Sequence, residues 1–334
     1  MLKISNERTS AILNSLKGKA IAVIGDVMLD KYYWGSVSRI SPEAPVPVID
    51  IESETDHLGG AANVANNLKS IGIEPLLCGV IGDDASGKRF KEISSQMGID
   101  PLGLYIDDSR PSTVKTRIIG NNQQIARMDH ETREPISQTG EKYILDTLMN
   151  YPTLSGIIFE DYDKGTISPA LIDSVMNWAN ESKIPVFVDP KFANFFHYKD
   201  AFLFKPNRKE AEQALKMQIK TKDDVAKAGN KLISDLNATN VLITLGAEGM
   251  MLCENSGNMD SVPTNARKVA DVSGAGDTAI ATLAACIAGG AEIKEAATLA
   301  NFASGVVCEE PGIISITPEK LFKAVKLSNQ AMEE

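Results

Sequence analysis

The segment Asp271-Val272-Ser273-Gly274-Ala275-Gly276-Asp277-Thr278 places two glycines around an alanine, sets a carboxylate directly after them and runs into small apolar residues over 279–289. That run reads as a buried helix beginning near Asp277. Glycines let neighbouring N–H groups turn toward one point, and a helix N-terminus adds roughly half a positive charge there. Such a place holds phosphate oxygens. A carboxylate set into it is poorly placed to hold an anion but well placed to take the proton of a hydroxyl that attacks phosphorus. The pairing points to phosphoryl transfer to an alcohol, with Asp277 as base and the N–H groups around Gly274, Ala275 and Gly276 cradling the moving group. Two blander readings fit the same eight residues. Gly274, Gly276 and Ala279 match a loose dinucleotide-binding fingerprint, which requires a βαβ unit with an acid ending its second strand; here helical spacing continues through Ala303 instead. A plain helix-start turn is the other.

Further segments carry candidate ligands. Leu58-Gly59-Gly60-Ala61-Ala62-Asn63 opens a helix on a glycine pair. The glycines let a ligand approach the backbone and the Asn63 amide can bond polyol hydroxyls, although a tight turn with close helix packing would use the same residues. Asp26 and Asp30 follow an apolar run, where carboxylates accept hydrogen bonds from sugar hydroxyls; a helix cap or a solvated loop is the alternative. Asn207-Arg208-Lys209-Glu210 follows Pro206 and opens a helix. Asn207 reads as its N-cap with Glu210 as capping-box partner, or Glu210 reads as a water-mediated hold on Mg²⁺. Gly82-Asp83-Asp84-Ala85-Ser86-Gly87-Lys88-Arg89 has P-loop spacing but ends in Arg89 where a Ser or Thr would hold magnesium, so a strand-to-helix turn fits it better. The three histidines, His57, His130 and His197, have neither zinc-ligand nor triad spacing.

The elements that must position these groups alternate. Apolar strand-like runs at 20–24, 76–81, 156–159, 185–188, 202–204 and 241–244 are separated by helical patterns at 61–71, 169–180, 209–216 and 222–235. Near-continuous apolar strands in β-α-β order favour a mostly parallel sheet covered on both faces, with ligands at the carboxyl ends of its strands. Two segments break the pattern: 46–52 and 113–119 alternate with period two, and Gly120-Asn121-Asn122 signals a hairpin turn into 123–128. They read as a small separate sheet, a lid whose exposed apolar face suits pairing with a second copy.

The chain has 334 residues, 43% of them hydrophobic, enough for one large domain over 1–334 with lid segments at about 44–58 and 112–128. A formal net charge of −10 argues against a nucleic-acid partner. Neither a signal-peptide stretch nor an apolar run of membrane-spanning length is present, so a cytoplasmic location without membrane contact is expected. The four cysteines form no CxxC pair, and neither a zinc site nor a disulfide framework is implied.

Taken together, these segments resemble the ribokinase-like (PfkB) carbohydrate kinase family. Gly59-Gly60-Ala61-Ala62-Asn63-Val64-Ala65 resembles its first signature, and 271–278 its second, whose last aspartate is the catalytic base. Residues 23–32 and 38–47, Asn122-Gln123-Gln124, Asp161-Tyr162-Asp163-Lys164-Gly165 and Asp189-Pro190-Lys191, in that order, are similar to the D-glycero-D-manno-heptose-7-phosphate kinase branch. The resemblance implies a ribokinase-like three-layer α/β sandwich with a mostly parallel central sheet and a small β-sheet lid. It implies transfer of the ATP γ-phosphoryl group to the C1 hydroxyl of the heptose 7-phosphate, for ADP-heptose and lipopolysaccharide inner-core synthesis. ATP and Mg²⁺ are the implied cofactors, with a monovalent cation left open. Asp26, Asp30, Gly59, Gly60, Asn63 and Asp161 are expected at the sugar, and Arg39, Lys115, Arg117 and Lys191 at its phosphate or at developing charge, with Lys191 foremost. Asn207, Arg208, Lys209, Glu210, Thr244, Gly246, Gly249, Asp271 and Asn301 are expected along the nucleotide, with Glu210 holding Mg²⁺ through water.

Many members of the branch carry a fused adenylyltransferase with a His-x-Gly-His motif, which has no match here; the next step is expected from a separate protein, and a homodimer through the lid is expected. Departures from the branch are Ser273 for Thr, Lys205 for Thr before Pro206-Asn207, Glu160 for Ser before Asp161, and Gly120-Asn121 for an Arg-containing turn. The last leaves open another sugar or sugar phosphate as acceptor. A non-catalytic sugar or nucleotide sensor on the same fold is the reading from a different class.

Overall fold

The computed structural model describes residues 3–264, 272–310, 312 and 314–331; Asp271, expected at the nucleotide, lies outside them. In chain order the elements are α1 (Asn6–Asn14), β1 (Ala20–Gly25), β2 (Val27–Ile40), β3 (Pro47–Gly60), α2 (Ala61–Ile71), β4 (Glu74–Gly82), α3 (Ala85–Gln96), β5 (Leu104–Asp107), β6 (Val114–Gly120), β7 (Gln123–His130), α4 (Gln138–Asn150), β8 (Ile157–Glu160), α5 (Pro169–Glu181), β9 (Val186–Asp189), β10 (Leu203–Phe204), α6 (Arg208–Leu215), α7 (Lys222–Leu236), β11 (Asn240–Thr244), β12 (Met250–Glu254), β13 (Met259–Val262), α8 (Ala275–Ala288), α9 (Ile293–Cys308) and α10 (Pro318–Ala331).

The large sheet runs β13-β12-β11-β10-β9-β8-β1-β4-β5. Its strands from β5 to β11 are parallel, and β12 and β13 close the edge antiparallel. β1 shows why helices cover both faces. All six of its residues are buried: Ile21 and Val23 pack into the core under α2, α8 and α9, whereas Ala22 and Ile24 pack into the core under α4, α5 and α7. A two-residue side-chain period thus feeds two cores. Among the described residues no helix is long and apolar enough to cross a membrane.

The second sheet has four strands, β3-β2-β6-β7. It takes in the two expected segments and also β2, which the sequence pattern did not mark as a strand. The reason is burial: Val27, Met28, Leu29 and Asp30 are consecutively buried, so no polar alternation shows there. β2 leaves β1 after a single residue, Asp26, and pairs antiparallel with β3 and parallel with β6. The β6–β7 turn holds Asn121 and Asn122 at φ 51° and 63°, the left-handed pair of a type I′ hairpin that asparagine tolerates. Trp34, Ile40, Ile51, Ile125 and Met128 are exposed along this sheet.

Candidate active site

The central helix start is built as its residues demand. Gly274 caps α8 at φ 75°, and a Cβ there would lie 2.9 Å from Asn63 Nδ2, so glycine answers both the backbone angle and the close approach. Small residues let α8 pack against α2, and Thr278 Oγ1 donates to Asn67 Oδ1 at 3.1 Å. Asp277, 7% exposed, sits in the first turn of α8. Its Oδ2 accepts from Asn63 Nδ2 at 2.7 Å and its Oδ1 from the Tyr162 hydroxyl at 3.1 Å. Burial pushes its pKa up, Asp189 adds to that, and the two hydrogen bonds oppose it.

Against this helix start lies a buried cluster that sequence reasoning did not assemble. Lys205 Nζ pairs with Asp189 Oδ2 at 2.6 Å, and a Cβ built on Gly276 would lie 3.7 Å from the former and 3.8 Å from the latter. Glu160 is 1% exposed and its Oε2 has no hydrogen-bond partner. Burial, then Asp189 and Asp277, push its pKa well above the ordinary glutamate value, which favours the protonated form. Two of the departures from the branch pattern, Glu160 and Lys205, therefore meet in one place.

Of the residues expected at the sugar, Asp26 is 1% exposed and both its oxygens accept backbone N–H groups, Tyr162 and Lys164 on Oδ2 and Thr166 on Oδ1, at 2.8 to 3.0 Å. It anchors the 161–166 loop. Asp161 accepts from Tyr198 at 2.7 Å, Asn194 at 3.2 Å and the Asp163 N–H at 2.9 Å, and burial pushes its pKa up to about 6. Gly60, at φ 60°, lets the Ala61 N–H reach the Asp26 carbonyl at 3.0 Å, and a Cβ on Gly59 would meet Asp30 Oδ2 at 2.3 Å. Arg117 pairs with Asp30 and lies 5.1 Å over the Tyr32 ring. Lys115 faces Glu131 and Asp129 at 3.5 and 3.8 Å, and Lys164 also pairs with Glu131. Lys191 pairs with Glu210 and lies 5.4 Å over the Tyr162 ring; burial opposes its charge, but Asp189 and Glu210 outweigh burial and raise its pKa. Arg39 is not brought here. It is exposed near the outer end of β2, nine residues beyond Asp30 and so about 30 Å along an extended strand.

Of the residues expected along the nucleotide, Thr244, Gly246, Gly249 and Asn301 line a cavity of about 290 Å³ together with Ala275 and Gly276. Asn301 Nδ2 donates to the Pro263 carbonyl at 2.7 Å. Asn207 and Glu210 form the capping box of α6, so that reading holds; Glu210 divides its oxygens between Lys191 Nζ and the Asn207 N–H. Arg208 pairs with Glu248, and Lys209 is exposed on α6.

The profile of the pfkB family carbohydrate kinases matches residues 19–320. The chain belongs to that family, and it is a phosphotransferase with an alcohol group as acceptor. Among its relatives, the bifunctional protein HldE of Trichlorobacter lovleyi is 41% identical over 309 residues, covering 92% of this chain and 63% of that protein. The bifunctional protein HldE of Helicobacter pylori strain J99 is 41% identical over 295 residues, covering 88% and 64%. The chain thus spans a little under two thirds of the length of these relatives. In fold it is similar to phosphofructokinase-2 from Escherichia coli in complex with potassium, with a TM-score of 0.77 and 16% identity over 93% of this chain and 99% of that one. Ribokinase of Arabidopsis thaliana complexed with ribose and ATP has a TM-score of 0.73 and 18% identity over 93% and 99%.

Proposed function

We propose that the chain phosphorylates the C1 hydroxyl of D-glycero-D-manno-heptose 7-phosphate with ATP, giving the 1,7-bisphosphate from which ADP-heptose for the lipopolysaccharide inner core is made. The observation that carries the chemistry is Asp277, held by Asn63 and Tyr162 at the start of α8, beside the cavity that Gly276 and Asn301 line. The heptose rests on the branch-like segments and on the relatives' kinship. Dimerisation is assigned to the exposed apolar residues of the small sheet, which we read as the lid of the kinase domain.

The site fits the implied cofactors. Gly276 abuts a buried ammonium, Lys205, which suits phosphate oxygens. Both Glu210 oxygens are engaged, and among the described residues no group of three or more His, Cys, Asp or Glu could hold a metal; a cation carried by phosphates and water suits such a place. Bound MgATP supplies the phosphoryl group and the charge neutralisation on its oxygens. Asp277 takes the proton of the acceptor hydroxyl. The N–H groups at Gly274, Ala275 and Gly276 and the α8 dipole stabilise the transferring group, joined by Lys205. Asp30, Asn63 and Asp161 orient the sugar, Asp26 holds the loop that carries Tyr162, and Lys191, Lys115 and Arg117 meet its phosphate.

The deciding experiment follows ADP release from MgATP with D-glycero-D-manno-heptose 7-phosphate against fructose 6-phosphate, ribose and adenosine. Strong preference for the heptose phosphate is expected. Turnover only with another acceptor would overturn the sugar assignment, and ATP binding without turnover on any acceptor would overturn the kinase assignment.

A further inference from the structure

Tyr162 has no role in the chemistry so far, yet it touches the base. Each Asp277 oxygen receives one internal donor: Asn63 Nδ2 on Oδ2 at 2.7 Å and the Tyr162 hydroxyl on Oδ1 at 3.1 Å. The phenol thus stands where an acceptor hydroxyl must donate. It is held there from several sides. Its own N–H is bound by Asp26 Oδ2 at 2.8 Å, its ring lies 5.4 Å from Lys191 Nζ, and its neighbour Asp161 is fixed by Tyr198 and Asn194.

A water molecule bound at that point would be a substrate. Asp277 would take its proton, its oxygen would form a bond to the γ-phosphorus, and the bond from that phosphorus to the β–γ bridging oxygen would break, releasing ADP and inorganic phosphate. The phenol itself is a poor nucleophile here, because burial and then the carboxylate of Asp277 push its pKa well above the ordinary phenol value.

We propose that Tyr162 is a positioning residue that holds Asp277 and denies its Oδ1 to water until the acceptor hydroxyl displaces the phenol, so that it sets the ratio of sugar phosphorylation to ATP hydrolysis. The proposal rests on the assignment of Asp277 as base. The groups that face Asp277 are Asn63 from α2, Tyr162 and Glu160 at the end of β8, Asp189 from β9 and Lys205 after β10.

The test is Tyr162→Phe, which removes the hydroxyl and leaves the ring over Lys191. Phosphate release from MgATP alone is compared with ADP release in the presence of the preferred acceptor of the panel above. Hydrolysis without acceptor is expected to rise about tenfold, the size of one lost hydrogen bond, while transfer falls by less than that. The acid limb of kcat/KM for the acceptor, which reports the free enzyme, should also move to higher pH, because the ionised Asp277 loses a donor there. A hydrolysis-to-transfer ratio within twofold of wild type, with an unmoved limb, would overturn the proposal, as would added hydrolysis that survives in Tyr162→Phe/Asp277→Asn. Asp277→Asn alone reports on the base. Retained transfer there sinks the functional reading, whereas lost transfer there with an unchanged ratio in Tyr162→Phe sinks only the role of Tyr162.

Discussion

At the scale of single residues, Asp277 carries the sharpest prediction. Asp277→Asn keeps the shape and the Asn63 contact but cannot accept a proton, so kcat should fall by roughly 10²-fold or more with ATP affinity nearly unchanged. Near-normal turnover in steady-state assays would refute it. As the proposed base, Asp277 works only when ionised, and burial raises its pKa from 3.8; activity should therefore be lost as pH falls through that raised value, with the acid limb above that of a free aspartate. Asp277, its glycines and Asn63 were legible because each announces itself within a few residues of chain. Lys205, Asp189 and Glu160 were not. Each ends or follows a different strand, and they meet only because β8, β9 and β10 are neighbours in register, with Glu160 opposite Asp189 and Lys205 just beyond the Val188–Phe204 pair. No local pattern encodes strand order, so the two unusual residues read as separate oddities.

At the scale of elements, the Gly120-Asn121 departure finds a structural reason. A Cβ on Gly120 would meet Val37 Cγ2 at 2.6 Å, and the Asn121 amide bonds both the N–H and the carbonyl of Val37 at 3.2 Å. The turn thus clips the β6–β7 hairpin to β2. Asn121→Ala should cost about 1–2 kcal/mol locally, seen as faster amide exchange at Val37, with little change in global melting. Unchanged exchange there would show that the clip contributes nothing. The hairpin itself was readable from its Asn-Asn turn and period-two flanks. β5 and β13, the edge strands, were missed because polar residues cut any apolar run short there, whereas β12, apolar over 250–253, was passed over.

At the scale of the whole molecule, a buried carboxyl whose pKa is raised ties stability to pH. Glu160 keeps its proton in the fold well above 4.5, whereas the unfolded chain releases it near that value. Over that window the folded state binds more protons, so this group's contribution to stability is present at low pH and is lost as pH rises. Glu160→Gln fixes the neutral form. Its stability advantage over wild type should grow with pH, by at most about 1.4 kcal/mol per unit, in denaturant titrations run from pH 5 to 9. A difference that stays constant with pH would mean that Glu160 is ionised in the fold.

β2 reaches the exposed sheet from the interior without a break, with Asp26 alone between it and β1. Its root is clamped in the core by Val27, Met28 and Leu29, and Asp30 lies just beyond the clamp. The small sheet is thus held from one end, by a strand whose pairing with β3 shifts register at Trp34/Gly35 and at Val37/Arg39. Its far end, near Ile40 and the 120–122 turn, connects through β2 to Asp30 and, through the β2–β6 pairing, to Arg117, the partner of Asp30. A partner seated on the outer face would thus lean on the strand that carries Asp30, the carboxylate we propose meets the sugar.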